Sequence, residues 1–200
     1  MKQLLNPWAE LEGYQCYGCC PTNPMGCQMS FYEDGDDIVS VWKPTQYHQS
    51  WINTLHGGVQ ATLMDEVCGW VVFRKLDTAA VTGKMELRYR HPVATTNPYL
   101  VMCGRLESFS HNVAKVHAEL RDAEGKVCIE CTCTYFAFPH DKAVNEMQFR
   151  STETVGEDLT LEEVIARTLA DKANGQKRYR SYRSMLATDC SKPEAAKQNK

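Results

Sequence analysis

The feature that most constrains this chain is the segment 57–75, which is apolar on nearly every side of a helix. Val59, Leu63, Val67, Trp70 and Val71 recur at helical spacing on one side, and Ala61, Cys68, Val72 and Phe73 occupy the other. Such a helix is stable only when it is surrounded, so the chain is predicted to enclose it. Four runs supply the enclosure: 79–90, 99–108, 113–121 and 126–138, rich in Val, Tyr, Phe, Thr and Cys and separated by Asn-Pro, His-Asn and Glu-Gly turn signals. A shorter strand, 38–42, follows Glu33-Asp34-Gly35-Asp36. In 113–121, Ala114, Val116, Ala118 and Leu120 alternate with Lys115, His117 and Glu119, so one face is covered and the other wetter. Short turns make successive strands antiparallel. The expected fold is α+β: an antiparallel sheet of about five or six strands wrapped around one long central helix.

This core is expected at 36–139, preceded at 1–35 by an N-terminal helix and a Cys-rich capping loop. A polar extension follows at 140–200, with one amphipathic helix over 159–169 and a mobile tail from 172. Leu161, Val164, Ile165 and Leu169 make the stripe of that helix, and Thr160 with Glu163 make a capping box. Residues 1–12 lack the apolar core of a signal peptide and no run reaches the ~20 apolar residues of a membrane span. A cytoplasmic protein is expected, with no membrane partner. The net charge of −3 and the pI near 6.1 give no overall field that would recruit nucleic acid. Ten cysteines without an export signal read as reduced, small apolar fillers.

Chemistry is concentrated at Thr54-Leu55-His56-Gly57-Gly58, which opens the helix, and at Asp65-Glu66 two turns in. Two glycines let a ligand approach the backbone closely, and free amides at a helix start polarise a carbonyl or stabilise an oxyanion. The alternative for Gly-Gly alone is a plain tight turn. A carboxylate within a buried helix costs several kcal/mol unless paired, hydrated or used. Around Asp65, Ala61, Thr62, Cys68 and Gly69 are small and leave room for a ligand or a second helix. Its alternative is an Asp satisfied by hydrogen bonds at a helix contact. Gly57 and Asp65 lie eight residues apart, about 12 Å of helical rise, so one helix cannot bring both to one carbonyl. A site using both needs two antiparallel copies of the helix, which predicts a symmetric homodimer with two equivalent sites. Asp65 and Glu66 project about 100° apart and cannot share a role. Asp65 is the first choice as general base or nucleophile and Glu66 the second.

At these residues the sequence resembles the PaaI-type hotdog thioesterases, acyl-CoA hydrolases. The resemblance runs over 16–138, and it is most specific in His56-Gly57-Gly58-Val59-Gln60-Ala61-Thr62-Leu63-Met64-Asp65-Glu66. Met85-Glu86-Leu87-Arg88-Tyr89-Arg90-His91-Pro92-Val93 and Asp122-Ala123-Glu124-Gly125-Lys126 also fit. It implies homodimers or dimers of dimers with an interfacial site. The Gly57 amide, with Gly58 beside it, polarises the thioester carbonyl; His56 helps hold that end; Asp65 activates water or attacks; Thr82 stands beside the water. Ser50 occupies a position where relatives often carry Asn, with Asn53 or His48 as candidates to compensate. The implied reaction is hydrolysis of an acyl-CoA, or of a carrier-protein thioester, with no metal or redox cofactor and CoA as part of the substrate.

Lys84, Arg88, Arg90 and Arg105 are candidates for the CoA phosphates, against an ordinary solvated face. The motif Cys16-Tyr17-Gly18-Cys19-Cys20…Cys27 holds a CxxC pair, but no second pair follows closely as a structural zinc site requires. It reads as a lid near the acyl pocket. Lys177, Arg178, Tyr179, Arg180, Tyr182 and Arg183 form a basic, aromatic run that reads as a solubility feature. Two other functions remain: a non-catalytic acyl-CoA sensor or scaffold, which would not need Asp65, and a hydratase, whose Asp is followed five residues later by His where this chain has Trp70.

Overall fold

The computed structural model describes residues 1–173. Its central helix, α1, is Gly57–Leu76. Eight strands form one sheet: β1 Lys2–Leu4, β2 Tyr32–Asp34, β3 Asp37–Trp42, β4 Ala80–Tyr89, β5 Leu100–Ser110, β6 Val113–Arg121, β7 Val127–Ala137 and β8 Thr154–Val155. Their spatial order is β4-β7-β6-β5-β3-β2-β1-β8. The pairings are antiparallel. Two further helices follow, α2 His140–Met147 and α3 Leu161–Ala173.

The five long strands and α1 are the expected wrapped helix, but eight strands exceed the five or six expected. The added ones, β1, β2 and β8, have three, three and two residues, too few for alternation to register in sequence. They extend the sheet past β3, and β1 joins the beginning of the chain to β8 through Gln3↔Val155. No α-helix forms within 1–35, against expectation; turns and the Cys-rich loop lie between β1 and β2. α2 was not expected either. The capping box of α3 is as expected, with the Thr160 amide donating to Glu163 Oε2 and the Glu163 amide to Thr160 Oγ1. α3 extends to Ala173, so the first two residues of the expected mobile tail are helical. The remainder of that tail, with the basic run 177–183, lies outside the described residues.

The core lies between α1 and the sheet. Leu63, Met64, Val67, Cys68, Val71 and Val72 of α1 are fully buried against Leu100, Met102, Val116, Ala118 and Ile129 of the strands. Each Leu, Met, Val or Ile among them contributes about 1.5–3 kcal/mol by leaving water. Trp70 stacks on Phe31 at 4.4 Å, and Trp8 and Phe73 meet the same group edge-on. This aromatic cluster fastens the N-terminal loop over the helix. Burial is not complete all round, as the sequence had implied: Gly58 is exposed, and Ala61, Thr62, Asp65 and Glu66 are half-buried. At the other end, Arg74 and Lys75 both grip Glu33 of β2 at 2.8 Å, fixing the helix C-terminus to the sheet.

Candidate functional site

Three groups of polar atoms lie along α1. The first surrounds Asp65. Thr82 of β4 donates its hydroxyl to Asp65 Oδ1 at 2.9 Å, and the Tyr135 hydroxyl of β7 lies 3.0 Å from Oδ1 and 2.8 Å from the Asp65 carbonyl. Among the described residues no hydrogen bond is made to Oδ2. A register shift between Thr82 and Lys84 brings Thr82 to this place. Gly83 sits at the shift, where the Phe136 ring occupies the space a Cβ would need. Burial, with Cys68 and Asp65 nearby, raises the Tyr135 phenol far above its ordinary value and keeps its proton. The small residues next to Asp65 thus serve partly to admit Tyr135, whose hydroxyl lies over Gly69. Sequence reasoning brought Asp65 and Thr82 to one place but missed Tyr135. Its signal was the alternation of Cys131, Cys133 and Tyr135 on the covered face of β7.

The second group opens the helix. The Gly58 amide donates to His56 Nδ1 at 2.9 Å, so His56 caps the helix and its remaining proton belongs on Nε2. The Tyr89 hydroxyl donates to the Gly57 carbonyl at 2.9 Å. The Gly57 amide is the first of the helix and has no partner among the described residues. Ser50 and Asn53 stand in the exposed loop before this turn. The Ser50 amide and hydroxyl are directed to the Thr54 carbonyl, at 2.8 and 3.4 Å, and Asn53 adopts a left-handed conformation. His48 is engaged structurally: its Nδ1 accepts from the Thr45 amide and its carbonyl from the His56 amide.

Glu66 belongs to a third group, on another side of α1. The Trp70 indole donates to Oε1 at 3.2 Å, and Cys16 Sγ lies 3.8 Å from Oε1 and 3.6 Å from Cys19 Sγ. Burial first, then Cys16, raises the Glu66 carboxyl to about 7. The Cys19 thiol and the amides of Cys19 and Gly18 lower Cys16 to about 5 against the effect of its burial. These groups face a cleft of about 510 Å³ whose walls include Trp8, Leu11, Tyr14, Phe73 and Phe149. Cys16 and Cys19 of the Cys-rich loop line this cleft, which also reaches Ala80, two residues from Thr82.

The basic stripe is less basic in three dimensions. Lys84 pairs with Glu86 at 3.1 Å, Arg90 pairs with Glu130 at 2.6 Å, and Arg88 lies across from that same Glu130. Arg105 is not part of the stripe: it lies on β5, with β7 and β6 between it and β4, and pairs with Asp37. No described helix is long and apolar enough to cross a membrane.

Residues 52–129 match the family model of the thioesterase superfamily. Solved structures share the fold. One is a thioesterase superfamily protein, 24% identical, with a TM-score of 0.55 over 58% of this chain and 57% of its own. This chain thus spans less than two thirds of that protein. A hypothetical thioesterase from Streptococcus pneumoniae, solved with coenzyme A, is 20% identical with a TM-score of 0.51 over 55% of this chain and 87% of its own. A phenylacetic acid degradation-related protein from Ralstonia eutropha, described as a thioesterase, is 20% identical with a TM-score of 0.50 over 56% and 86%. Comparison with curated proteins gives no match. Residues 52–129 thus resemble the thioesterase superfamily, and the fold around them is the hotdog fold that these solved structures share.

Proposed function

We propose that this protein hydrolyses an acyl-CoA thioester to the free acid and CoA at a site formed by two subunits in the cytoplasm. The observation that carries the reading is Asp65, whose Oδ1 is held by two hydroxyls while Oδ2 is left for water. In the reaction, the Gly57 amide of one subunit polarises the thioester carbonyl. Asp65 of the other takes a proton from water as its oxygen bonds to the carbonyl carbon. Collapse breaks the C–S bond, and the proton passes from Asp65 to the departing sulfur. Thr82 and Tyr135 hold the carboxylate, with Thr82 also next to the water; His56 keeps the helix start in shape. This step uses neither a metal nor a redox group, and CoA arrives with the substrate.

The coenzyme A bound by the Streptococcus relative supports the choice of carrier. Lys84, Arg88 and Arg90 are its proposed phosphate contacts, with Gly58, Ser50 and Asn53 around the carbonyl end. Two subunits are needed because α1 separates Gly57 from Asp65 by about 12 Å. β4 supports this: it is the ten-residue edge of the sheet, and Val81 on it pairs across to Phe136 with both side chains exposed.

The test is free-thiol release from a panel of aliphatic and aromatic acyl-CoAs, with the protein's mass in solution measured in parallel. Asp65→Asn is expected to lower kcat by about 100-fold or more while binding is retained. A fully active monomer refutes the shared site. Absence of turnover across the panel by wild-type protein that binds acyl-CoA supports a sensor instead.

A further inference from the structure

Cys16, Cys19 and Glu66 take no part in the proposed hydrolytic step, yet their donor atoms all lie within 4.8 Å of one another. We propose that these three residues bind a thiophilic divalent cation of the zinc type, with its fourth coordination position open to the adjoining cleft. The sequence offered a CxxC without a second ligand pair. The missing donor comes from α1, fifty positions beyond Cys16.

The spacing suits such an ion. Two sulfurs on one tetrahedral zinc, each at ~2.3 Å, stand about 3.8 Å apart, and a sulfur and a carboxylate oxygen about 3.5 Å apart. Here Cys16 Sγ and Cys19 Sγ are 3.6 Å apart, and Cys16 Sγ lies 3.8 and 3.9 Å from the two Glu66 oxygens. Contraction by a few tenths of an ångström brings the carboxylate to that spacing from Cys16, and Cys19 Sγ starts within 4.8 Å of it. The supports around the donors are present as well. The Tyr14 hydroxyl lies 3.1 Å from Cys19 Sγ, and the Trp70 indole holds Glu66 Oε1. Gly18 lies so close to Glu66 that any side chain there would collide with the carboxylate. All three donors line the cleft, which supplies both an entry path and the position for a water or other fourth ligand. The other thiol cluster, Cys68, Cys131 and Cys133, is wholly buried and does not line this cleft.

The experiment uses the full chain, reduced and metal-free, titrated anaerobically with Co(II) and then Zn(II). Visible absorption and metal analysis after dialysis are the readouts. About one ion per chain is expected, with tetrahedral Co(II) bands and thiolate-to-metal charge transfer. Cys16→Ser and Cys19→Ser should each remove about half of that charge transfer. Glu66→Gln should keep it while weakening zinc by about tenfold in chelator competition. Zinc should also slow alkylation of Cys16 and Cys19, but not of Cys103, in the wild-type protein, which holds even if a variant does not fold. The proposal is overturned by absence of tight binding, by unprotected Cys16 and Cys19, by an unchanged spectrum in both serine variants, or by an unchanged affinity in Glu66→Gln. None of these readouts depends on thioester turnover.

Discussion

Tyr135 shows how a single hydroxyl couples packing to chemistry. It reaches Asp65 twice, at the carbonyl and at Oδ1, and is itself nearly buried. Tyr135→Phe keeps the ring and removes both hydrogen bonds. A loss of about 1 kcal/mol in stability is expected, measurable by denaturant titration. If Asp65 is the base, kcat should also fall about tenfold, 1.4 kcal/mol of barrier, with KM little changed. An effect on stability alone would assign Tyr135 to packing. Neither Tyr135 nor the contact of Glu66 with Cys16 was legible in the sequence. Each joins residues far apart in the chain, seventy and fifty positions, and no local period encodes such a meeting. Asp65 was legible because a carboxylate stands out within an apolar helix.

At the scale of elements, the junction of α1 with β2 rests on Glu33. Its carboxylate takes Arg74 through two nitrogens and Lys75 through a third, and the Arg74 partnership is the main cause that lowers it from 4.5 to about 2. A carboxyl depressed on folding stabilises the native state above its unfolded value. That contribution is lost as pH falls through its folded value. Glu33→Gln should therefore cost on the order of 2 kcal/mol at neutral pH, after allowance for partial solvent screening. The gap between variant and wild type should begin to narrow below pH 4.5 and close near pH 2 in thermal melts. A gap that stays constant over this range would show that the ion pairs are not its source. α1 and the five long strands were readable because each carries a full period of its pattern over six to twenty residues. β1, β2 and β8 were not, since their existence depends on the sheet they join. The partner of Arg90 in the basic stripe was not legible for a similar reason: Glu130 lies on a different strand.

For the proposed dimer the decisive surface is the β4 edge. Val81→Lys places a charge on an exposed position of that strand, so the subunit fold should be retained by circular dichroism. Mass in solution should drop from that of the proposed dimer to that of a monomer, and turnover should fall with it by about 100-fold, because each half-site would lose its partner. An unchanged mass would place the seam elsewhere. The other side of the sheet ends differently. There β2, β1 and β8 shrink to two or three residues, and α3 packs near β3 with Val164 and Leu159 against Tyr32 and Val41. One border is long and open while the opposite one tapers to almost nothing. When two such sheets join at their like borders, no second long border is left for another to follow. Growth by strand addition stops at that point, so a filament cannot form by this route and any larger ring or stack must be built through faces.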